Sequence, residues 1–137
     1  MGNQGIRAGL GALLGVVVAV FVVALVEIAG HGMFPPPPGI DPTNPADLER
    51  LWEQVHPAAK AMVVLAWFLG SLAGSCAAIL VSRRVVSAWV VGAIIAAFSL
   101  YASQMFPHPA WMVIAAIVLP LVAVLVAKRL MASRIDG

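Results

Sequence analysis

The fold is decided by a long apolar stretch at residues 8–29, which reads AGLGALLGVVVAVFVVALVEIA. A helix needs about 20 apolar residues to cross a hydrocarbon core of about 30 Å, so this stretch is long enough to span a bilayer. It shows no alternation of apolar and polar residues, which excludes a barrel strand. Three more stretches of the same kind follow, at residues 58–81, 85–103 and 110–127.

The chain is therefore predicted to be all-α, a four-transmembrane-helix antiparallel bundle with a short amphipathic helix in the first outer loop. Helices are expected because every backbone polar group inside the hydrocarbon must be hydrogen-bonded within the protein. We expect a single membrane domain over residues 1–137. Its predicted parts are spans at about 8–30, 58–82, 85–104 and 109–128 and an outer loop at about 31–57.

The composition favours a surface that faces lipid. Of the 137 residues, 62% are hydrophobic and 10% are charged, whereas about 25% are charged in typical globular proteins. The net charge is only +2, and no dense basic patch with interleaved aromatic residues is present, so nucleic acid is not an expected partner. Cys76 is the single cysteine, which excludes a disulfide within one chain and a cysteine-based zinc site.

The distribution of lysine and arginine predicts the orientation, since cytoplasmic loops carry an excess of these residues. Only Arg50 and Lys60 fall on the side of the first loop, where they are accompanied by four acidic residues. We therefore predict that both termini are cytoplasmic and that residues 31–57 face outward. The basic residues on the inner side are Arg7, Arg83, Arg84, Lys128, Arg129 and Arg134.

The outer loop contains a stiff segment followed by a helix signal. Four consecutive prolines at 35–38 favour an extended polyproline conformation. Asn44 followed by Pro45 is typical of a helix start, with an N-cap residue before proline at the first helical position. An apolar stripe then recurs at helical spacing, which predicts an amphipathic helix lying on the membrane surface or over the outer mouth of the bundle. The stripe consists of Leu48, Leu51, Trp52 and Val55.

Small residues recur at four-residue spacing in the first two spans. Gly11 and Gly15 form one such pair, and Gly70 and Gly74 form the other. This pattern allows two membrane helices to approach closely. We expect the glycines to pack the bundle internally; a homodimer interface is the alternative.

Glu27 is the one acidic residue within a predicted span, near its outer end. A carboxylate inside a membrane is costly, so it is expected to face the bundle, find a partner or be protonated. His31 follows one helical turn later on the same face. The topology also brings His56 and His108 to this level, because each directly precedes a span that begins on the outer side.

These residues predict a polar layer at the outer surface, with Tyr101 and Gln104 as neighbouring hydrogen-bonding groups at the end of the third span. Three interpretations are open. Glu27 and the histidines could be structural, could bind a divalent metal such as zinc, or could form a proton or ligand site. The candidate metal ligands are Glu27, His31, His56 and His108.

Three parts of the sequence carry a resemblance to a known group of proteins. They are Glu27-Ile28-Ala29-Gly30-His31, Phe34 with the following prolines and Gly39, and His108-Pro109-x-Trp111. Together they resemble small bacterial four-helix integral membrane proteins to which no activity is assigned. The resemblance implies the same topology and a location in the bacterial inner membrane, and it implies nothing about mechanism.

Three functions follow as hypotheses. The first is a non-enzymatic structural or accessory membrane component that acts through helix and outer-loop contacts, with other membrane subunits or a homodimer as partners besides the bilayer. The second is a small dimeric transporter or proton-linked protein that uses Glu27 and the histidines. The third is a metal-binding protein or metal-dependent enzyme. A soluble-type enzyme is not expected, because the sequence has no phosphate-binding glycine loop and no nucleophile motif.

Overall fold

The computed structural model describes residues 2–41 and 43–135, and the regular secondary structure within these ranges is helical. The prediction of an all-α protein is confirmed, and four helices are long and apolar enough to cross a membrane. The first of them, α1, begins well before residue 8, and its 32 residues span about 48 Å at about 1.5 Å per residue. The helices are α1 Gly2–Met33, α2 Pro45–Gln54, α3 Pro57–Ser82, α4 Val85–Met105 and α5 Ala110–Leu130, followed by a short 3-10 helix, Ala132–Arg134.

Local capping interactions fix the starts of α2 and α3. The side chain of Asn44 accepts a hydrogen bond from the backbone N–H of Ala46 at 3.1 Å, with Pro45 at the first helical position of α2. The Nδ1 atom of His56 likewise accepts from the N–H of Ala58 at 3.1 Å. Each cap satisfies one of the backbone donors that a helix start leaves unpaired.

The link between α3 and α4 is only two residues long. Arg83 adopts the left-handed conformation, with φ of 58°, and its N–H donates to the carbonyl of Ile79 at 2.7 Å. Ser82 completes the turn, since its hydroxyl accepts from the N–H of Arg84 at 3.1 Å. A link this short makes α3 and α4 neighbours, and α3 also contacts α1 and α5.

Glycines bring α1 and α3 into backbone contact. A β-carbon on Gly15 would lie 2.6 Å from the carbonyl oxygen of Gly74, and one on Gly11 would lie 2.8 Å from the carbonyl oxygen of Ala78. Nearer the other end of α1, Gly30 meets Met62. Residue numbers therefore rise along α1 as they fall along α3.

The rest of the core is packed by small and branched side chains with a few buried hydroxyl groups. The Ser71 hydroxyl donates to the carbonyl of Pro120 at 2.9 Å and links α3 to α5. The Ser87 hydroxyl donates to the carbonyl of Ala8 at 3.0 Å and links α4 to α1. The outward faces carry large apolar side chains, for example Phe21 at 64% exposure, which is the surface expected against lipid.

The short helix α2 turns its apolar residues toward the bundle. Leu48, Leu51 and Trp52 are half-buried, whereas Glu49 and Glu53 are exposed. Trp52 packs against the buried cluster formed by Trp67, Met112 and Ala116. The end of the bundle where α2 packs is called the histidine end below, because it carries His31, His56 and His108.

Candidate functional site

A cavity of about 150 Å³ lies at the histidine end, between α1, α2 and α3. The residues after α1, from Phe34 to Pro36, complete its wall. Three ionisable side chains line it, Glu27, His31 and Lys60, and the remainder of the wall is apolar. The other lining residues are Gly30, Phe34, Pro36, Leu51, Trp52, Val55, Ala59, Met62 and Val63.

Glu27 reaches the cavity because of its place on α1. It continues a four-residue repeat from Gly15 through Ala19 and Val23, and residues at this spacing share one helix face. Gly70 of α3 packs directly against Ala19 and Val23, so this face is the one turned toward α3. The Glu27 side chain is accordingly half-buried at the point where the close contact between the two helices ends and the cavity begins.

His31 lies one turn beyond Glu27 and remains exposed. Its Nδ1–H donates to the backbone carbonyl of Glu27 at 2.7 Å, because a carbonyl oxygen can only accept. This bond fixes the orientation of the ring and leaves Nε2 as the remaining polar atom.

His56 has a different role. Its Nδ1 is occupied as the N-cap acceptor of α3, and its ring stacks on Phe34 with centroids 5.4 Å apart and an angle of 11° between the planes. His56 therefore joins the start of α3 to the chain that leaves α1, and it does not line the cavity.

His108 packs among aromatic rings. Its centroid lies 4.3 Å from that of Trp52, 6.2 Å from that of Trp67 and 6.4 Å from that of Phe106. Its Nδ1–H donates to the carbonyl of Phe106 at 2.9 Å. His108 thus connects the α4–α5 link to α2 and α3.

The structure brings Glu27 and His31 together and leaves His56 and His108 in separate settings. Within residues 2–41 and 43–135, no group of three or more histidine, cysteine, aspartate or glutamate residues is arranged to hold a metal ion. The four residues predicted as metal ligands do not form a common site in this arrangement.

The two hydrogen-bonding residues predicted at the end of α4 also lie away from the cavity. Tyr101 is 64% exposed on the outward face of α4. The Gln104 side-chain amide donates to the Ser103 hydroxyl at 3.4 Å, beside a shallow surface groove that includes His108. Neither side chain contributes to the wall around Glu27.

Sequence reasoning missed two residues of the cavity wall as functional groups. Lys60 is half-buried and lines the cavity together with Glu27, yet no direct ion pair joins them. The indole nitrogen of Trp52 is buried without a hydrogen-bond partner, alone in this respect among the described residues. The sequence gives a signal for each residue: Lys60 is a basic residue on an otherwise acidic side, and Trp52 belongs to the apolar stripe of α2. That they line the same cavity as Glu27 depends on how α1, α2 and α3 pack together, which the sequence pattern does not predict.

Comparison with known proteins identifies no relative: no family model, curated protein or solved structure matches the chain.

Proposed function

We propose that this protein is a non-enzymatic membrane component that acts through contacts made at its histidine end. One observation carries the proposal, namely that the cavity around Glu27 does not continue between α1 and α3 toward the middle of the bundle. Its lining begins at Glu27 on α1 and ends at Val63 on α3. Beyond that level the two helices meet at Gly70 and Gly74 without room for a β-carbon. A cavity that ends at this helix contact suits binding at one surface better than passage between α1 and α3.

In this proposal the four long helices form an antiparallel bundle with both termini cytoplasmic. The opposite course of residue numbers along α1 and α3 supports antiparallel packing. The basic residues near Arg83 and Lys128 support a cytoplasmic location for the end opposite the histidines. By the resemblance described above, the membrane is the inner membrane of a bacterium.

We further propose that α2 is an amphipathic helix at the membrane surface and that its exposed acidic side is the contact surface. The exposed Glu49 and Glu53, set against the half-buried Leu51 and Trp52, support this assignment. A partner of this surface is a second membrane subunit or a second copy of the chain.

Site-specific photocrosslinking tests the proposal. A photoreactive residue at Glu49 or Glu53 of the full-length protein in its native membrane should give one discrete crosslinked species. The same residue at Leu13, which is 63% exposed on α1, serves as the lipid-facing control. Crosslinks of equal yield from all three positions, or from none, would contradict a contact role for α2.

The second candidate is a small proton-linked or ion-linked transporter. It is favoured by Glu27, an acidic residue that lies within a span and forms no direct ion pair. Proteoliposomes containing the protein and a pH-sensitive dye distinguish the two functions. The contact role predicts proton flux equal to that of protein-free vesicles. Flux that depends on the protein and is abolished by Glu27→Gln would establish transport instead.

A further inference from the structure

The end of the bundle opposite the histidine end carries most of the positive charge of the protein. It is called the basic end below, and its lysine and arginine residues are Arg7, Arg83, Arg84, Lys128, Arg129 and Arg134. Five of the six acidic residues lie at the histidine end, and the sixth, Asp136, is outside the described residues. We infer that a groove beside Lys128 and Arg129 binds an anionic phospholipid of the phosphatidylglycerol type. The inference goes beyond the proposed contact role and does not depend on it, since it concerns the other end of the bundle.

The groove lies on the outward face of the last two turns of α5 and has a volume of about 540 Å³. Three apolar residues form its first part, two basic residues follow, and one residue of the 3-10 helix completes the wall. The lining residues are Val122, Leu125, Val126, Lys128, Arg129 and Ala132. Residues three and four positions apart share a helix face, so the side chains of Val122 and Val126 lie in line with that of Arg129. The groove is therefore an apolar track that ends at two positive charges.

The two basic side chains are not used to close the end of α5. The N–H of Met131 donates to the carbonyl of Ala127 at 2.8 Å, so the backbone itself caps the helix. Met131 also packs on the buried cluster that contains Val124, which directs the chain after α5 toward the bundle. Within residues 2–41 and 43–135, the side chains of Lys128 and Arg129 make no hydrogen bond or ion pair. Both charges are therefore available to a ligand in the groove.

The order of groups along α5 agrees with the orientation of a phospholipid in a bilayer. The 21 residues of α5 span about 32 Å at about 1.5 Å per residue, which matches a hydrocarbon core of about 30 Å. Lys128 and Arg129 lie within the last three residues, at the boundary between acyl chains and headgroups. Val122 lies about two turns nearer the middle of the span. A phosphate held by the basic pair would therefore place its acyl chains along the apolar part of the groove.

The basic pair suits a phosphodiester. The Arg129 guanidinium presents its N–H donors in a planar fork that matches two phosphate oxygens, and the Lys128 ammonium adds a point charge with three donors. A basic residue at this level increases the affinity for an anionic lipid about fivefold. Two such residues in one groove would together give a preference of about 25-fold over a lipid without net charge.

Charge selects against other occupants of the groove. Phosphatidylethanolamine and phosphatidylcholine carry a cation as well as a phosphate, and no acidic side chain lies at the basic end among the described residues to hold that cation. A metal ion would be repelled by Lys128 and Arg129. A second copy of the chain in the same membrane orientation would present its five described acidic residues at the histidine end, on the other side of the bilayer. An anionic lipid meets none of these obstacles.

Native mass spectrometry of the full-length protein in detergent tests this inference. The protein is titrated separately with phosphatidylglycerol, phosphatidylethanolamine and phosphatidylcholine that share the same acyl chains. We expect phosphatidylglycerol to bind about 25-fold more tightly than either of the other two lipids. Equal affinity for all three lipids would overturn the inference, and this comparison uses the unmodified protein alone.

Variants then locate the site. Lys128→Gln and Arg129→Gln should each lower the affinity for phosphatidylglycerol about fivefold and leave that for phosphatidylcholine unchanged. Both side chains are exposed, so neither change disturbs the core. Arg134→Gln is the matched control, because it removes one charge from the same end at an exposed position outside the groove. An equal loss in all three variants would indicate a diffuse attraction of the whole basic end and contradict a defined site, as would no loss in any of them.

A soluble competitor identifies the source of the phosphodiester. Glycerophosphoglycerol carries the same charged group without acyl chains, so it can meet the basic pair but not fill the apolar part of the groove. We expect it not to displace phosphatidylglycerol at concentrations comparable to that of the lipid. Displacement at equal concentration would show that the groove recognises a water-soluble phosphodiester and that the assignment to a lipid is wrong.

Discussion

The carbonyl oxygen of Gly74 lies 2.6 Å from the position that a β-carbon on Gly15 would take, so α1 and α3 touch through their backbones at this level. Val91 of α4 closes the same space from a third side, with its methyl carbon 2.7 Å from that position. The close approach of α1 and α3 therefore depends on glycines, which have no side chains, and not on interdigitating side chains.

Gly15→Ala should consequently destabilise the bundle. The added methyl group would overlap the Gly74 carbonyl oxygen, a backbone atom that cannot move by a change of rotamer. Overpacking of this kind lowers the free energy of unfolding by about 1–3 kcal/mol. Gly9→Ala is the matched control on the same helix, because nothing lies within 4 Å of its β-carbon position. It should be neutral or stabilising by up to about 1 kcal/mol. Unfolding in mixed detergent micelles, followed by circular dichroism, measures both; equal stability of the two variants would contradict the close contact.

Ser71→Ala should weaken the attachment of α5 to α3. The buried Ser71 hydroxyl donates to the carbonyl of Pro120 at 2.9 Å, whereas that of Ser75, one turn later, is 3.5 Å from the carbonyl of Ala88. Hydrogen bonds between membrane helices contribute about 0.6 kcal/mol on average and up to about 1.7 kcal/mol. We expect Ser71→Ala to fall in this range and Ser75→Ala to fall below it. The same unfolding assay tests this order, and a larger loss in Ser75→Ala would reverse our assignment of the stronger bond.

His108→Ala should release α2 without unfolding the spans. The imidazole contacts Trp52 with centroids 4.3 Å apart, and an aromatic pair contributes about 0.5–1.5 kcal/mol beyond its buried area. Amide hydrogen exchange within α2 should therefore accelerate by about 2- to 10-fold. His31→Ala removes the same ring from α1 and should leave this exchange rate unchanged. An unchanged rate in His108→Ala would contradict a role for this contact in holding α2.

Asp41 should titrate below the ordinary range. The Thr43 hydroxyl at 2.7 Å and its backbone N–H at 2.9 Å both donate to the Asp41 carboxylate, and these bonds lower its pKa. Since the folded pKa is depressed, the turn is stabilised above the ordinary pKa of aspartate and loses this contribution as the pH falls through the folded value. Thr43→Val should raise the pKa of Asp41 toward its ordinary value in an NMR titration. Thr43→Ser retains the hydroxyl and should leave the pKa of Asp41 low. An equal rise of this pKa in both variants would argue against the hydrogen bond from the Thr43 hydroxyl.

The existence of the long helices and the start of the loop helix α2 followed from local sequence. Length and hydrophobicity suffice to identify a span, and Asn44 before Pro45 marks the start of α2 because the capping interaction lies within three residues. The beginning of α1 at Gly2 could not be obtained in this way, since Asn3, Gln4 and Arg7 interrupt the apolar pattern before residue 8. A hydropathy pattern locates the membrane-spanning part of a helix and says nothing about its continuation into water.

The site was less accessible to sequence reasoning. Topology brings the three histidines to one end of the bundle. The role of each imidazole, however, depends on tertiary contacts that the spacing of residues in the sequence does not predict. His56 serves as a helix cap, and His108 packs under Trp52. The meeting of Glu27 with Lys60 at one cavity follows only from the register of α1 against α3, which the glycine contacts determine.

The proline segment at 35–38 has a consequence for how α2 is held beside the cavity. Proline restricts the backbone of the unfolded chain as well as that of the folded one, so ordering this segment gives up less conformational entropy than ordering four ordinary residues. The turn that follows is concentrated at Gly39, with φ of 86°. The stiffness of residues 35–38 therefore lowers the entropic cost of holding α2 beside the cavity.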